Sequence, residues 1–253
     1  MNSAALDLSI LAPAFVVGVL VLATHVPLGR AVLARGIVFI DLAIAQIAGL
    51  GVIAADSLGR EPQGWGMQAA ALSAAIAGAL GLTWSEKRWP EIQEALIGVL
   101  FVLAASASLL LLANNPHGGE HLKDLLVGQI LWVSHAQLIS AAIVTLLLVA
   151  TGYGARNRLG RTGFYLIFAC AITVSVQLVG IYLVFASLIV PALAVRGMHR
   201  ARGLLVAYMI GVLGYALGLA ASALVDLPSG AMIVWAIALT GVIGRLLLVR
   251  TRA

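Results

Sequence analysis

From Leu8 onward the chain alternates long apolar runs with short polar breaks, and the runs are too long and uniform for strands or for half-buried surface helices. At about 20 apolar residues per bilayer crossing, the pattern predicts helices over residues 8–29, 36–58, 65–84, 92–113, 130–153, 163–178, 180–196, 203–225 and 229–249. That makes about nine spans, within a range of 8 to 10. The sixth and seventh come from one 34-residue stretch, Thr162 to Val195, broken at "QLVG", where Gly180 can bend the chain. The expected fold is an all-α, polytopic membrane helix bundle, with residues 1–253 forming one transmembrane domain.

Composition strengthens this reading. Hydrophobic residues make up 62% of the 253 and charged residues 10%, against roughly 25% charged in soluble domains. The net charge of +5 does not mark a nucleic-acid binder, because the basic residues fall in short clusters between the spans. They fit membrane topology instead. Arg30, Arg35, Lys87, Arg88, Arg156, Arg158, Arg161, Arg196, Arg200, Arg202, Arg245, Arg250 and Arg252 all fall on one side, leaving only Arg60 and Lys123 of the 15 on the other. By the positive-inside rule the N-terminus is outside and the C-terminus in the cytoplasm. The first run lacks a basic leader and a small-residue cleavage site, and reads as a retained span. Cys170 stands alone in an apolar run, so neither a disulfide framework nor a thiolate metal site is expected.

Small residues crowd the spans, as in "GVLGYALGLAASA", where Gly214 and Gly218 are spaced GxxxG. Such residues let helices approach closely, either within one bundle, the plainer reading, or across a dimer seam.

Ionisable groups inside a span are costly, so each is a candidate functional residue. Three occur here, His25, Asp41 and Glu94, each five or six residues from a basic marker at the cytoplasmic boundary. A helix rise of 1.5 Å places them at one depth, roughly 7 to 9 Å inside. One imidazole and two carboxylates suit zinc or manganese; the alternative is pairing with interfacial arginines or an internal hydrogen-bond network. Gln46, Gln129 and Gln177 add neutral polar atoms further along, as a cation path or as interhelical glue. The outer segment "NNPHGGEHLKD" holds His117, Glu120 and His121. Its H-x-x-E-H string works as a protease motif only on a helix, and Pro116, Gly118 and Gly119 predict a loop. That loop is solvated, or captures metal transiently. Pro191 removes one backbone hydrogen bond and is expected to kink the seventh span. No GxxxxGK[ST] string occurs, so any ATP hydrolysis belongs to another chain, and the protein itself is not expected to be an enzyme.

Five blocks in order, "PLGRAVLARGIVFIDLAIAQIAGLGV", "EALIGVLFVLAASASLLLL", "LLVGQILWVS", "VGIYLVFASLIVPALAVR" and "DLPSGAMIVWAIAL", resemble the permease subunits of zinc and manganese ABC importers, the ABC-3 family. The resemblance implies a homodimeric channel in the cytoplasmic membrane. It would receive a divalent metal from an extracytoplasmic binding protein and be driven by a cytoplasmic ATPase, with no permanently bound cofactor. Two departures stand out. Members usually carry Asp and His four apart in the second span; here Asp41 aligns with the Asp, while the His position falls on Gln46, five residues away. At 100° per residue that spacing puts the two about 140° apart unless the helix bulges. The family's cytoplasmic segment between spans five and six, with its ATPase-docking helix, is also cut to "GYGARNRLGRTG". Either this loop docks differently, "RGMHRARG" takes the role, or ATP coupling is weakened or absent. Three functions follow: an ABC metal permease; an ion-coupled secondary transporter on the same scaffold, with Asp41 and Glu94 as relays; or a non-transporting membrane partner.

Overall fold

The computed structural model describes residues 8–58, 64–112, 118–154 and 160–250. Ten α-helices account for most of them: α1 Leu8–Arg35, α2 Ile40–Ser57, α3 Trp65–Arg88, α4 Gln93–Leu112, α5 Gly118–Val127, α6 His135–Gly154, α7 Gly160–Val179, α8 Ile181–Ala194, α9 Arg200–Val225 and α10 Ser229–Arg250. No strand occurs among the described residues. Eight helices are long and apolar enough to cross a membrane, with α8 a ninth, shorter apolar helix.

The helices pack as two groups. In one, α2 lies against α3 and α4, and α7 closes on α3 and α2; in the other, α1, α8, α9 and α10 pack on one another. The chain crosses between groups at Gly180, whose φ of +79° suits glycine and stops α7 before α8 begins. A Cβ there would collide with the backbone of Val127 and Gly128, itself a glycine at φ +72°. The connection after α5 is therefore pressed backbone to backbone against the α7–α8 break. The GxxxG pair is used within the chain, since a Cβ on Gly214 or Gly218 would strike the backbone of Ile237 or Ile233 in α10. Leucines and valines of α4, α6 and α10 stay exposed, the expected lipid-facing surface of a membrane bundle.

Several expected boundaries move. α1 does not stop near residue 29 but winds on to Arg35, carrying Pro13 and Pro27 within it; a span tolerates proline when its neighbours re-satisfy the freed backbone groups. α6 starts at His135 rather than near 130, because Ser134 and Gln137 form a capping box. The Gln137 amide donates to Ser134 Oγ at 3.2 Å, and Gln137 Oε1 accepts from the Ser134 amide at 2.9 Å. The stretch from Gly118, expected as loop, is the helix α5. Its polar Lys123 and Asp124 are exposed, while Leu125 and Leu126 pack on the core, so an apolar face outweighs the helix-breaking glycines.

One end of the bundle is knit together by basic side chains. Arg35 lies over the Phe164 ring, 3.7 Å from its centroid. Arg161 Nε is 3.9 Å from Glu86 Oε1, Arg30 donates to the Arg200 carbonyl at 2.6 Å, and Arg245 to the Arg196 carbonyl at 2.8 Å.

Candidate functional site

Asp41 and Glu94 each stand in the first turn of their helix, α2 and α4, where the positive end of the helix dipole favours a carboxylate. Asp41 is 1% exposed, and neither of its carboxylate oxygens has a hydrogen-bond partner among the described residues. The backbone amides of Asp41 and Leu42 lie beside it. Glu94 is close enough for the two charges to interact. Its Oε1 accepts from the Phe39 amide, at the N-cap of α2, at 3.2 Å, and its Oε2 is buried and unpartnered. Glu94 thus ties α4 to the start of α2, satisfying one of the donors a helix N-terminus leaves over.

His25 is fully buried in α1. Its Nδ1 lies 2.9 Å from the Val21 carbonyl oxygen and 3.0 Å from Thr24 Oγ1, while Nε2 has no partner among the described residues. With the proton on Nδ1 donated to Val21, Nε2 presents a lone pair to a dry interior, the form in which imidazole binds metal. The expected common depth does not hold. His25 lies ten residues, about 15 Å, back from the end of α1, whereas Asp41 is the second residue of α2 and Glu94 the second of α4. Among the described residues no group of three or more His, Cys, Asp or Glu is close enough to hold a metal ion. The structure brings Asp41 and Glu94 together and leaves His25 apart.

Helix α2 runs without a bulge from Ile40 to Ser57, so Gln46, though buried, faces away from Asp41. Gln129 is exposed at the N-cap of the short 3-10 turn Ile130–Trp132. Gln177 Nε2 is buried without a partner, as is Thr173 Oγ1 one turn earlier on α7. Pro191 is buried within α8, which continues through it to Ala194. His117 lies outside the described residues; Glu120 and His121 belong to α5, their side chains outside the described ones.

Sequence reasoning missed a polar network beside the carboxylates. Gln93 donates to the Leu82 carbonyl at 3.1 Å and to the Tyr165 hydroxyl at 3.4 Å, while its Oε1 accepts from Ser85 Oγ at 2.9 Å. It joins α3, α4 and α7. Its signal was the polar string "SEKRWPEIQE", read only for Lys87, Arg88 and Glu94.

Ten helices packed on an apolar core, eight of them long and apolar enough to cross a membrane, with a carboxylate in the first turn of α2 and of α4, define a polytopic membrane protein. The pattern of the ABC 3 transport family matches residues 7–159 and 149–247, and the chain belongs to that family. Its fold is similar to PsaBC from Streptococcus pneumoniae in complex with Fab, at TM-score 0.74 and 18% identity over 93% of this chain and 90% of the other. It is also similar to an inward-facing conformation of a metal-chelate type ABC transporter, at TM-score 0.65 and 15% identity over 94% and 83%. No curated protein matches in sequence.

Proposed function

We propose that the chain is the permease subunit of an ABC importer for a divalent metal, zinc or manganese, working as a homodimer in the cytoplasmic membrane. A cytoplasmic ATPase subunit drives it and an extracytoplasmic binding protein delivers the metal. Family membership supports the transport class. The observation that carries the metal reading is Asp41, a buried carboxylate with no hydrogen-bond partner on either oxygen among the described residues. Such a group is costly unless something compensates its charge, and a passing dication does so. Glu94 Oε2, equally unpartnered, is the second oxygen donor near it. His25 Nε2 supplies a nitrogen donor further along the path.

In the sequence of events proposed, metal enters at the end opposite the basic side chains and descends between the helix groups. It pauses at the Asp41–Glu94 pair and leaves at the basic end as ATP hydrolysis in the partner subunit switches access. The polar side chains Thr173 and Gln177 offer oxygen atoms above that pair. An ion-coupled secondary transporter is the second reading, favoured by the same two carboxylates acting as proton carriers. Uptake of zinc and manganese into a strain stripped of its own importers, with and without the ATPase subunit, separates the two. Uptake that persists without the ATPase and follows a proton gradient would replace the ABC reading.

A further inference from the structure

The connection from α8 to α9, residues 195–199, is held in place with more care than its length requires. Its backbone is folded on itself, the Arg196 amide donating to the Leu193 carbonyl at 3.1 Å and the Met198 amide to the Val195 carbonyl at 3.0 Å, with Gly197 at φ +83°. Two guanidinium groups then pin it from opposite sides. Arg30, near the end of α1, donates to the Arg200 carbonyl and lies against Gly203; Arg245, from α10, donates to the Arg196 carbonyl. Carbonyls just past a helix C-terminus lack intrahelical partners; Arg245 satisfies that of Arg196 and Arg30 reaches the first turn of α9, so the two arginines fasten the turn to the helices on either side.

Outward from this fixed backbone stand Arg196, His199, Arg200 and Arg202, all exposed, none in an ion pair with a described residue. Nor does the neighbouring sequence offer compensation. From Leu125 to the last residue the chain contains one acidic side chain, Asp226, at the far end of α9. With no ion-pair partner among the described residues, this positive patch is open to an external anion. Lipid headgroups need no such preparation, because long basic side chains snorkel to them from any backbone. A protein surface does profit, since a loop ordered in advance loses less freedom on binding.

We infer that the pinned α8–α9 loop is a docking surface for an acidic face of the cytoplasmic ATPase subunit. The inference rests on the proposed permease function, and adds where the two subunits meet. It places the contact on a loop that follows directly from α8, so a push on the patch passes to the helix packed against α1 and α10. That is a different route from the short segment 154–163, whose residues 155–159 lie outside those described.

The test uses the full chain in nanodiscs of neutral phosphatidylcholine and its isolated ATPase subunit, with binding measured directly. The triple variant Arg196→Glu/Arg200→Glu/Arg202→Glu should weaken binding at least about tenfold, and the matching triple Lys variant should bind close to wild type, since it keeps the charge. Raised salt should weaken the wild-type complex. As a measurement independent of charge reversal, His199→Cys in a Cys170→Ala background should cross-link to the ATPase. Unchanged binding by the glutamate variant, no cross-link, or an effect that appears only when anionic phosphatidylglycerol is added would overturn the inference, the last assigning the patch to lipid. Failure of the wild-type chain to bind the ATPase at all would instead remove the permease reading beneath it.

Discussion

Asp41 shows how a residue can be legible while its partners are not. A carboxylate in an apolar run stands out in any sequence, and so does the buried His25. What the sequence hid was depth, because five residues from a basic marker means one thing if the helix ends at the marker and another if it winds past it. α1 winds past, and the expected trio reduces to a pair. The pair yields separable outcomes. Asp41→Asn keeps the size and removes the charge, so metal uptake in an importer-deficient strain should fall to background while the protein reaches the membrane at normal levels; wild-type uptake would remove Asp41 from the path. For Glu94 the structural duty can be told from the chemical one. Glu94→Gln retains an oxygen to accept the Phe39 amide and should preserve thermal stability while lowering uptake, whereas Glu94→Ala removes that acceptor and should cost about 0.5–1.5 kcal/mol as well. Equal stability of the two variants in detergent melting curves would refute the helix-tying role.

Among the elements, the existence of each long helix was readable from hydropathy, and the split at Gly180 from a single glycine in an overlong run. Boundaries were harder, since an apolar run says where lipid is tolerated, not where hydrogen bonding stops. The start of α6 was nonetheless written as Ser134 and Gln137, three apart, a capping signal overlooked amid the hydrophobic pattern. Ser134→Ala should lower stability by about 0.5–2 kcal/mol and Ser134→Asp should recover most of it, measured as a shift in melting temperature; a neutral Ser134→Ala would count against the cap. α5 was missed because its glycines were weighed above its leucines. The two kinds of positive-φ glycine can also be told apart. Gly36→Ala, at φ +71° with nothing within 4 Å, should cost only the left-handed strain of roughly 1–2 kcal/mol. Gly180→Ala adds a collision with the Val127 and Gly128 backbone and should leave little folded protein. Similar yields of the two in fluorescence-detected size exclusion would argue against the tight seam between α5 and the α7–α8 break.

For the molecule as a whole, the basic residues set an expectation of N-terminus outside and C-terminus inside that labelling can decide. In a Cys170→Ala background, Asp226→Cys should react with a membrane-impermeant maleimide on intact cells and Arg202→Cys only after the membrane is opened; the reverse pattern would invert the topology. The division into two helix groups was not legible, because hydropathy carries no information on which spans touch. It emerges from where the small residues sit and from the crossing at Gly180. The short helix beyond that crossing has a physical consequence. Fourteen residues make a rod of about 21 Å, well short of the roughly 30 Å of hydrocarbon a membrane presents. Packed against α1 and α10, and met at its start by the connection from α5, α8 is placed by protein contacts along most of its length. Membrane thickness therefore acts on the outer helices α4, α6 and α10, while the inner rod, fastened at its start by the Gly128–Gly180 seam and at its end by Arg245, takes its position from protein neighbours.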